Sequence, residues 1–296
     1  MRTAVPLFVA CALLFAPSAL HAQTTEQTIY VSVLDKAGHP VGSLNVADFS
    51  VTEDGASREV LRAGRTSDPL DLAVIVDNSF AAQPHILDIR KALSTFFDAM
   101  TAHQASIALI GMADRPTVLM DYTSSADASK KGVEKIFAQP GSGMVFQDAI
   151  LDTLKGLVKR DNSRRALLVI TGEGTDFSNV PYQNTLDALG ASGAAFHVLL
   201  LTNRSADSLR DERARERGQV IDEGTRATGG RRQELLTSMS YADALGSVAE
   251  DLANQYKVVY GRPGVLIPPK KVDVSVKTPG LTARATLVRP KTGASK

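Results

Sequence analysis

Hydrophobic and polar positions change their rhythm twice along the chain. From Thr28 to Leu34 apolar and polar residues alternate, and Asp48 to Glu53 alternate again. A period of two predicts half-buried strands. Asp35 to Pro40 is a turn cluster, Asp54-Gly55 signals a hairpin, and Arg58 to Leu61 is the expected returning strand. From Leu70 onward the rhythm differs. Leu70–Val76, Ser106–Met112, Ala166–Ile170 and Ala195–Leu201 are nearly continuous apolar runs. Strands apolar on both faces belong inside a parallel sheet covered by helices.

Helical stripes separate these runs. Ile86, Ile89, Leu93, Phe96, Phe97 and Met100 recur at three- and four-residue spacing. So do Phe146, Ala149, Ile150, Leu154, Leu157 and Val158, and again Tyr241, Leu245, Val248 and Leu252. Shorter stripes fall at Val133–Phe137 and Leu186–Leu189. Alternating β and α predicts an α/β fold with a doubly wound, mostly parallel sheet over residues 68–258. After it, Lys257–Tyr260, Val272–Val276 and Leu281–Val288 read as strands. Neither the segment 23–66 nor 259–296 is large enough to stand alone. They are expected to pair into one small β domain.

Residues 1–22 read differently. Arg2, an apolar run from Ala4 to Phe15 and small residues up to Ala22 form a signal-peptide pattern, too short to span a bilayer. Cleavage is expected after Ala22, with Ala19 as the alternative. Cys11, the one cysteine, sits in a poor context for a lipid anchor. The remaining chain has no cysteine and no second run of transmembrane length, so an exported protein, periplasmic or secreted, is expected.

Composition excludes some classes. Of 296 residues, 44% are hydrophobic and 22% charged, which fits a globular protein. A net charge of +1 argues against nucleic-acid binding. Seven charges crowd Arg210–Arg217. Their mixed sign predicts a solvated helix face, with Asp211 and Glu212 facing Arg215.

In a doubly wound sheet ligands sit beyond the carboxyl ends of the strands. The first such end reads Val76-Asp77-Asn78-Ser79-Phe80-Ala81. Asp77 and Ser79 offer either oxygen ligands for a hard cation or acceptors for loop N–H groups. This end resembles the von Willebrand factor type A (vWA) domain, whose D-x-S-x-S follows the first strand. The stretches Asp35–Leu44, Asp48–Gly55 and Asn254–Tyr260 are similar to exported bacterial vWFA-related domain proteins. The resemblance covers almost the whole chain beyond the signal segment.

It implies a metal-ion-dependent adhesion site, which also takes a Thr from a later loop and an Asp after the fourth main strand. Here Asp77 and Ser79 match, but Ala81 stands at the third position, Met144 at the Thr and Gly172 at the Asp. Glu173 or Asp176 could substitute only in a rearranged loop. A thioether suits Mg²⁺ poorly, so the site is expected to be a degenerate remnant with at most weak Mg²⁺ binding and no required cofactor. The expected function is non-enzymatic binding of an unidentified protein partner. Asn78, Phe80, Met144, Phe146, Glu173, Thr175 and Asp176 would line the docking loops, Met144 and Phe146 as an apolar patch. Metal-dependent adhesion is the first alternative, and a hydrolase using Ser79 with Asp77 and His85 the second. The sequence contains no G-x-S-x-G elbow, no phosphate loop and no H-E-x-x-H motif.

Overall fold

The computed structural model describes residues 24–202, 211–264, 269 and 271–289. The signal-peptide segment, Cys11, and the first residue of the charged run, Arg210, lie outside them. Six strands form the main sheet: β5 (Leu70–Val76), β6 (Ser106–Met112), β7 (Pro116–Thr123), β8 (Arg164–Thr171), β9 (Ala194–Leu201) and β10 (Arg232–Leu235). Their order is β10-β9-β8-β5-β6-β7, parallel except for β7. All seven β5 residues are buried. Leu72, Val74 and Val76 face one core and Ala73 and Ile75 the other. The first core is closed by α1 (Ile86–Ala102), α2 (Ala126–Glu134) and α6 (Tyr241–Ala253). The second is closed by α3 (Phe146–Leu157), α4 (Tyr182–Ser192) and α5 (Glu212–Thr228). Three helices on each face satisfy the two-sided strands that the sequence announced.

The remaining strands make a sandwich of two sheets. β1 (Thr24–Leu34) lies between β11 (Tyr256–Pro263) and β13 (Thr282–Leu287), and β4 (Val60–Arg65) flanks β11. The facing sheet is β12 (Val272–Val276), β2 (Phe49–Glu53) and β3 (Ala56–Arg58). Ile29, Val31, Val33, Phe49, Val51, Val258 and Tyr260 fill the space between them. N- and C-terminal strands therefore share one sheet, as the fold reading expected. The boundary placed at 258 falls inside β11, which enters the sandwich from Tyr256. The hairpin signal is realised: Asp54 and Gly55 have φ of 47° and 83°, the pair of positive values a tight two-residue turn needs. One return strand was expected after it. The chain instead breaks at Glu59 and passes from the β2 sheet (β3) to the β1 sheet (β4). β7 and β10 were not anticipated. Both are edge strands, and their polar residues interrupt the apolar pattern.

The two bodies meet through buried polar groups. Arg164 Nε donates to Gln255 Oε1 at 3.0 Å, and its Nη1 donates to the Asp68 carbonyl at 3.1 Å. Thr286 Oγ1 donates to the Thr228 carbonyl at 2.8 Å. Beside this junction His197 is wholly buried in β9, near the Asp251–Arg284 ion pair. Burial pushes its imidazole down to about 4, Asp251 pulls it up, and Arg284 and Arg231 push it down. The folded protein thus holds His197 neutral at pH values where the unfolded chain protonates it.

Stability should fall as pH drops from about 6.5 towards 4, by roughly 3 kcal/mol from this one group. Urea unfolding of His197→Leu beside the parent at pH 7 and pH 4.5 checks it; equal pH dependence in both would refute it. Ending the chain at Gly264 removes β12 and β13 and uncovers β1 and β2. Residues 27–64 should then become sensitive to protease, and unchanged protection would contradict the pairing.

Candidate functional site

The chain leaves β5 towards β6 on one side, while β8, β9 and β10 are laid down on the other. The crevice of a doubly wound sheet opens where the order reverses, at the carboxyl ends of β5 and β8. Three loops meet there: residues 77–85 after β5, 139–145 before α3, and 172–181 after β8. A methyl group built on Gly174 would lie 2.9 Å from Met144 Cε, 3.1 Å from Ala81 Cβ and 3.6 Å from Ser79 Oγ. The loops therefore touch at one point.

Asp77 is buried at the base of the first loop. Its N–H donates to the Ile170 carbonyl at 2.8 Å, and its Oδ1 accepts from the Ser79 N–H at 2.9 Å. Burial pushes its carboxyl up. N–H donation from Ser79 and Gly172 and the charge of Arg217 act the other way. Ser79 Oγ is buried beside that carboxylate. Asn78, expected among the docking residues, is buried instead. Its Nδ2 donates to the Phe137 carbonyl at 3.2 Å, and its own carbonyl accepts from Gln139 N–H at 2.9 Å. Gly111 leaves it room, because a Cβ there would stand 2.8 Å from Asn78 Oδ1. Phe80 is exposed.

The expected apolar patch of Met144 and Phe146 is overturned: both side chains have zero exposure. Met144 N–H donates to the Thr175 carbonyl at 2.9 Å, and the Met144 carbonyl accepts from Phe177 N–H at 2.8 Å. This short bridge between loops turns the Met144 side chain inward. Phe146 begins α3 and packs in the second core. Asp176 is buried as well and works as a cap. Its Oδ1 accepts from Phe146 N–H at 3.3 Å, Ser178 N–H at 3.0 Å and Ser178 Oγ at 2.6 Å. Ser178 Oγ accepts from Gln147 N–H at 2.9 Å. Val145, the residue before α3, supplies no side-chain cap, so the β8 loop satisfies N–H groups that helix geometry leaves open. Thr175 is exposed; Glu173 is half-buried and its Oε1 accepts from Thr202 Oγ1 at 2.5 Å.

Sequence reading missed Arg217. The charged run was expected to be a solvated face, yet Arg217 is buried. Its Nη1 donates to the Gly174 carbonyl at 3.1 Å and to Met144 Sδ at 3.4 Å, and stands 4.0 Å from Asp176 Oδ2. The signal was there: Arg217, Val220, Ile221 and Gly224 fall on one helical stripe, and the last three are buried too. Asp211 does not face Arg215 as an ion partner; its Oδ1 caps α5 by accepting from Arg213 N–H at 3.0 Å.

This donor set does not fit a divalent cation. Ala81, Met144 and Gly172 bring no side-chain oxygen, and Met144 offers a soft sulfur. Arg217 brings a positive charge to the same loops. Among the described residues no group of three His, Cys, Asp or Glu side chains is placed to hold a metal.

Eight large apolar side chains are exposed among the described residues. Six of them, Phe80, Leu87, Phe137, Phe177, Leu236 and Met239, lie at this end of the sheet, on loops and helix ends beyond the strand carboxyl termini. A cavity of about 220 Å³ opens among them, lined by Asp77, Ala82, Ile89, Glu173, Ser238 and Tyr241 among others.

No protein-family model matches the chain, and no curated protein matches it. Solved structures do. Proximal thread matrix protein 1 from the mussel byssus is similar with a TM-score of 0.51 and 10% identity, over 68% of this chain and 49% of that one. The pilus adhesin SpaC from Lactobacillus rhamnosus GG gives 0.50 and 10% over 81% of this chain and 47% of that one. This chain thus matches about half of each of those longer proteins. A von Willebrand factor type A structure from Catenulispora acidiphila gives 0.49 and 10% over 90% of this chain and 74% of that one.

Replacing Arg217 by Met leaves Asp176 and the Gly174 carbonyl without their cationic partner and should cost roughly 2–4 kcal/mol. Urea unfolding measures it, and a loss below about 0.5 kcal/mol, the level of an ordinary surface change, would contradict the assignment. With its six-stranded sheet, helices on both faces and loops gathered at the strand ends, the chain has a vWA-like fold.

Proposed function

We propose that this chain is an exported, non-enzymatic protein-binding module of vWA type that docks its partner on the strand-end face without a metal ion. The observation that carries the reading is the gathering of exposed apolar side chains on that face. Large apolar side chains exposed together at one end of a fold favour an interaction site there. The loops beneath it are cross-bonded, segments 139–145 and 172–181 through Met144, Thr175 and Asp176 and segment 77–85 through Phe80 N–H on the Ser142 carbonyl, and a rigid platform lowers the ordering cost of binding. One protein of similar fold is a pilus adhesin. The signal-like residues 1–22 support export. Charge compensation by Arg217 supports metal independence, since the loops carry their own cation. The hydrolase reading loses support because Ser79 Oγ is buried and makes no hydrogen bond to His85.

Two measurements test this. The thermal midpoint should move by less than about 1 °C between EDTA and ~10 mM Mg²⁺ or Mn²⁺, because a ligand of the folded state must raise it. A rise that disappears in Asp77→Ala would restore the metal-dependent alternative. Crosslinking to envelope proteins of the source cell should lose its specific product in the double variant Phe80→Asp, Leu236→Asp. A product retained in the folded double variant would remove the docking face from this surface.

A further inference from the structure

Beside the strand-end face, α1 and α2 enclose a groove of about 340 Å³ lined by Arg90, Lys91, Ser94, Lys130, Val133 and Glu134. Val133 is buried, while Lys91, Lys130 and Glu134 are exposed. Arg90 is held in place by neutral groups. Its Nη2 donates to the Glu134 carbonyl at 2.7 Å, and its guanidinium stands 4.2 Å over the Phe137 ring. Its Nε is shielded from solvent and has no hydrogen-bond partner among the described residues. Arg90, Lys91 and Lys130 form no ion pair among the described residues, and neither does the Glu134 carboxylate. Asp88 and Asp98 of α1 and Asp127 of α2 do not line the groove. At most one of its three positive charges can therefore be offset from within. The groove adjoins the exposed apolar residues of the strand-end face: Phe137 lies under the Arg90 guanidinium, and Leu87 is one turn before Arg90 and Lys91 on α1.

We propose that this groove receives an acidic segment of the protein partner, in which two neighbouring carboxylate side chains are followed by an apolar residue that lies on Leu87 and Phe137. The inference rests on the protein-binding reading above and names the chemistry the partner brings beside the docking face. Charge complementarity carries it: potentials of opposite sign steer two surfaces together and fix their register. The Arg90 guanidinium is already oriented, so little freedom is lost when a carboxylate accepts from its remaining N–H groups. Lys91 on α1 and Lys130 on α2 supply positive charge from the two walls. A basic segment would meet three cations, and an uncharged one would gain nothing from them. A small free anion would meet the charges but leave Leu87 and Phe137 exposed. A segment that carries acid and apolar groups together uses both.

The test is an NMR titration of the folded protein at about 20 mM salt, reading the methyls of Leu87 and Val133 and the amides of Lys91, Ser94 and Lys130. The probes are a glutamate–glutamate–leucine peptide blocked at both ends, its glutamine and lysine counterparts, inorganic phosphate, and vesicles of phosphatidylcholine with about 30% phosphatidylglycerol. The glutamate peptide should shift these signals saturably and bind at least about fivefold more tightly than the glutamine peptide, the worth of two or three exposed ion pairs. About 0.5 M NaCl should remove that advantage. The double variant Lys91→Gln, Lys130→Gln changes two exposed positions and leaves the fold intact; it should cut the advantage below about twofold. Leu87→Ser should weaken both peptides alike. Equal binding of the glutamate and glutamine peptides, tighter binding of the lysine peptide, an undiminished advantage in the double variant, or no effect of Leu87→Ser overturns the proposal. Phosphate that shifts the same signals at the peptide's own concentration assigns the groove to a simple anion, and vesicles that displace the glutamate peptide assign it to a lipid surface; either result also overturns it. None of these probes needs the partner. A crosslink lost in Phe80→Asp, Leu236→Asp without a glutamate advantage keeps the docking face and removes the acidic segment. A glutamate advantage with a retained crosslink keeps the groove chemistry and removes that face.

Discussion

The strand-end loops depend on one buried charge. Arg217 reaches from α5 to the point where the segments after β5, before α3 and after β8 come together, and its guanidinium is held by a carbonyl, a thioether and a carboxylate. A cation removed from water must be repaid by partners, and each partner here belongs to one of the strand-end loops. Met144 and Gly174 pack closely because Gly174 has no side chain and Met144 turns inward. Asp176, beside the same guanidinium, also caps α3. One side chain thus joins α5 to strand-end loops on its own face of the sheet, over the core it shares with α3.

That arrangement explains how the vWA-like face differs from the pattern its sequence resembles. The two residues that match the adhesion motif, Asp77 and Ser79, are not idle. Asp77 takes the Ser79 N–H and anchors the loop to β8 through Ile170. Where the pattern calls for further oxygen ligands, Ala81 and Met144 each place a methyl group against Gly174. At this point of the loops the structure has apolar atoms and the Arg217 guanidinium.

Much of this was legible in the sequence because burial leaves a periodic trace. β6 and β12 run over the residues their patterns marked, and the stripes of α1, α3 and α6 are the buried faces of those helices. Edge strands leave a weaker trace: β7 and β10 carry Asp121, Arg232 and Glu234 among their residues and were passed over. At the site the sequence located the loops but not the direction of their side chains. Met144 and Phe146 look like an exposed patch in a linear string, and only the bridge to Thr175 and Phe177 turns them inward. Arg217 was hidden by its neighbours, since seven charges in eight residues suggest solvent although one of them continues the stripe of Val220 and Ile221.

The position of β1 bears on when the protein can finish folding. β1 is the first described strand, yet it pairs with β11 and β13, and Ser32 and Gln255, which bond across the junction, are 223 residues apart. Contacts between such distant parts of a chain close late, because the entropy of a long loop is lost before they form. During synthesis β1 is made long before either of the strands that pair with it, β11 and β13. Its alternating apolar face stays open for that interval, inviting a chaperone or a wrong partner strand. The sandwich is completed only when β13 pairs with β1, so its closure waits for residues 282–287.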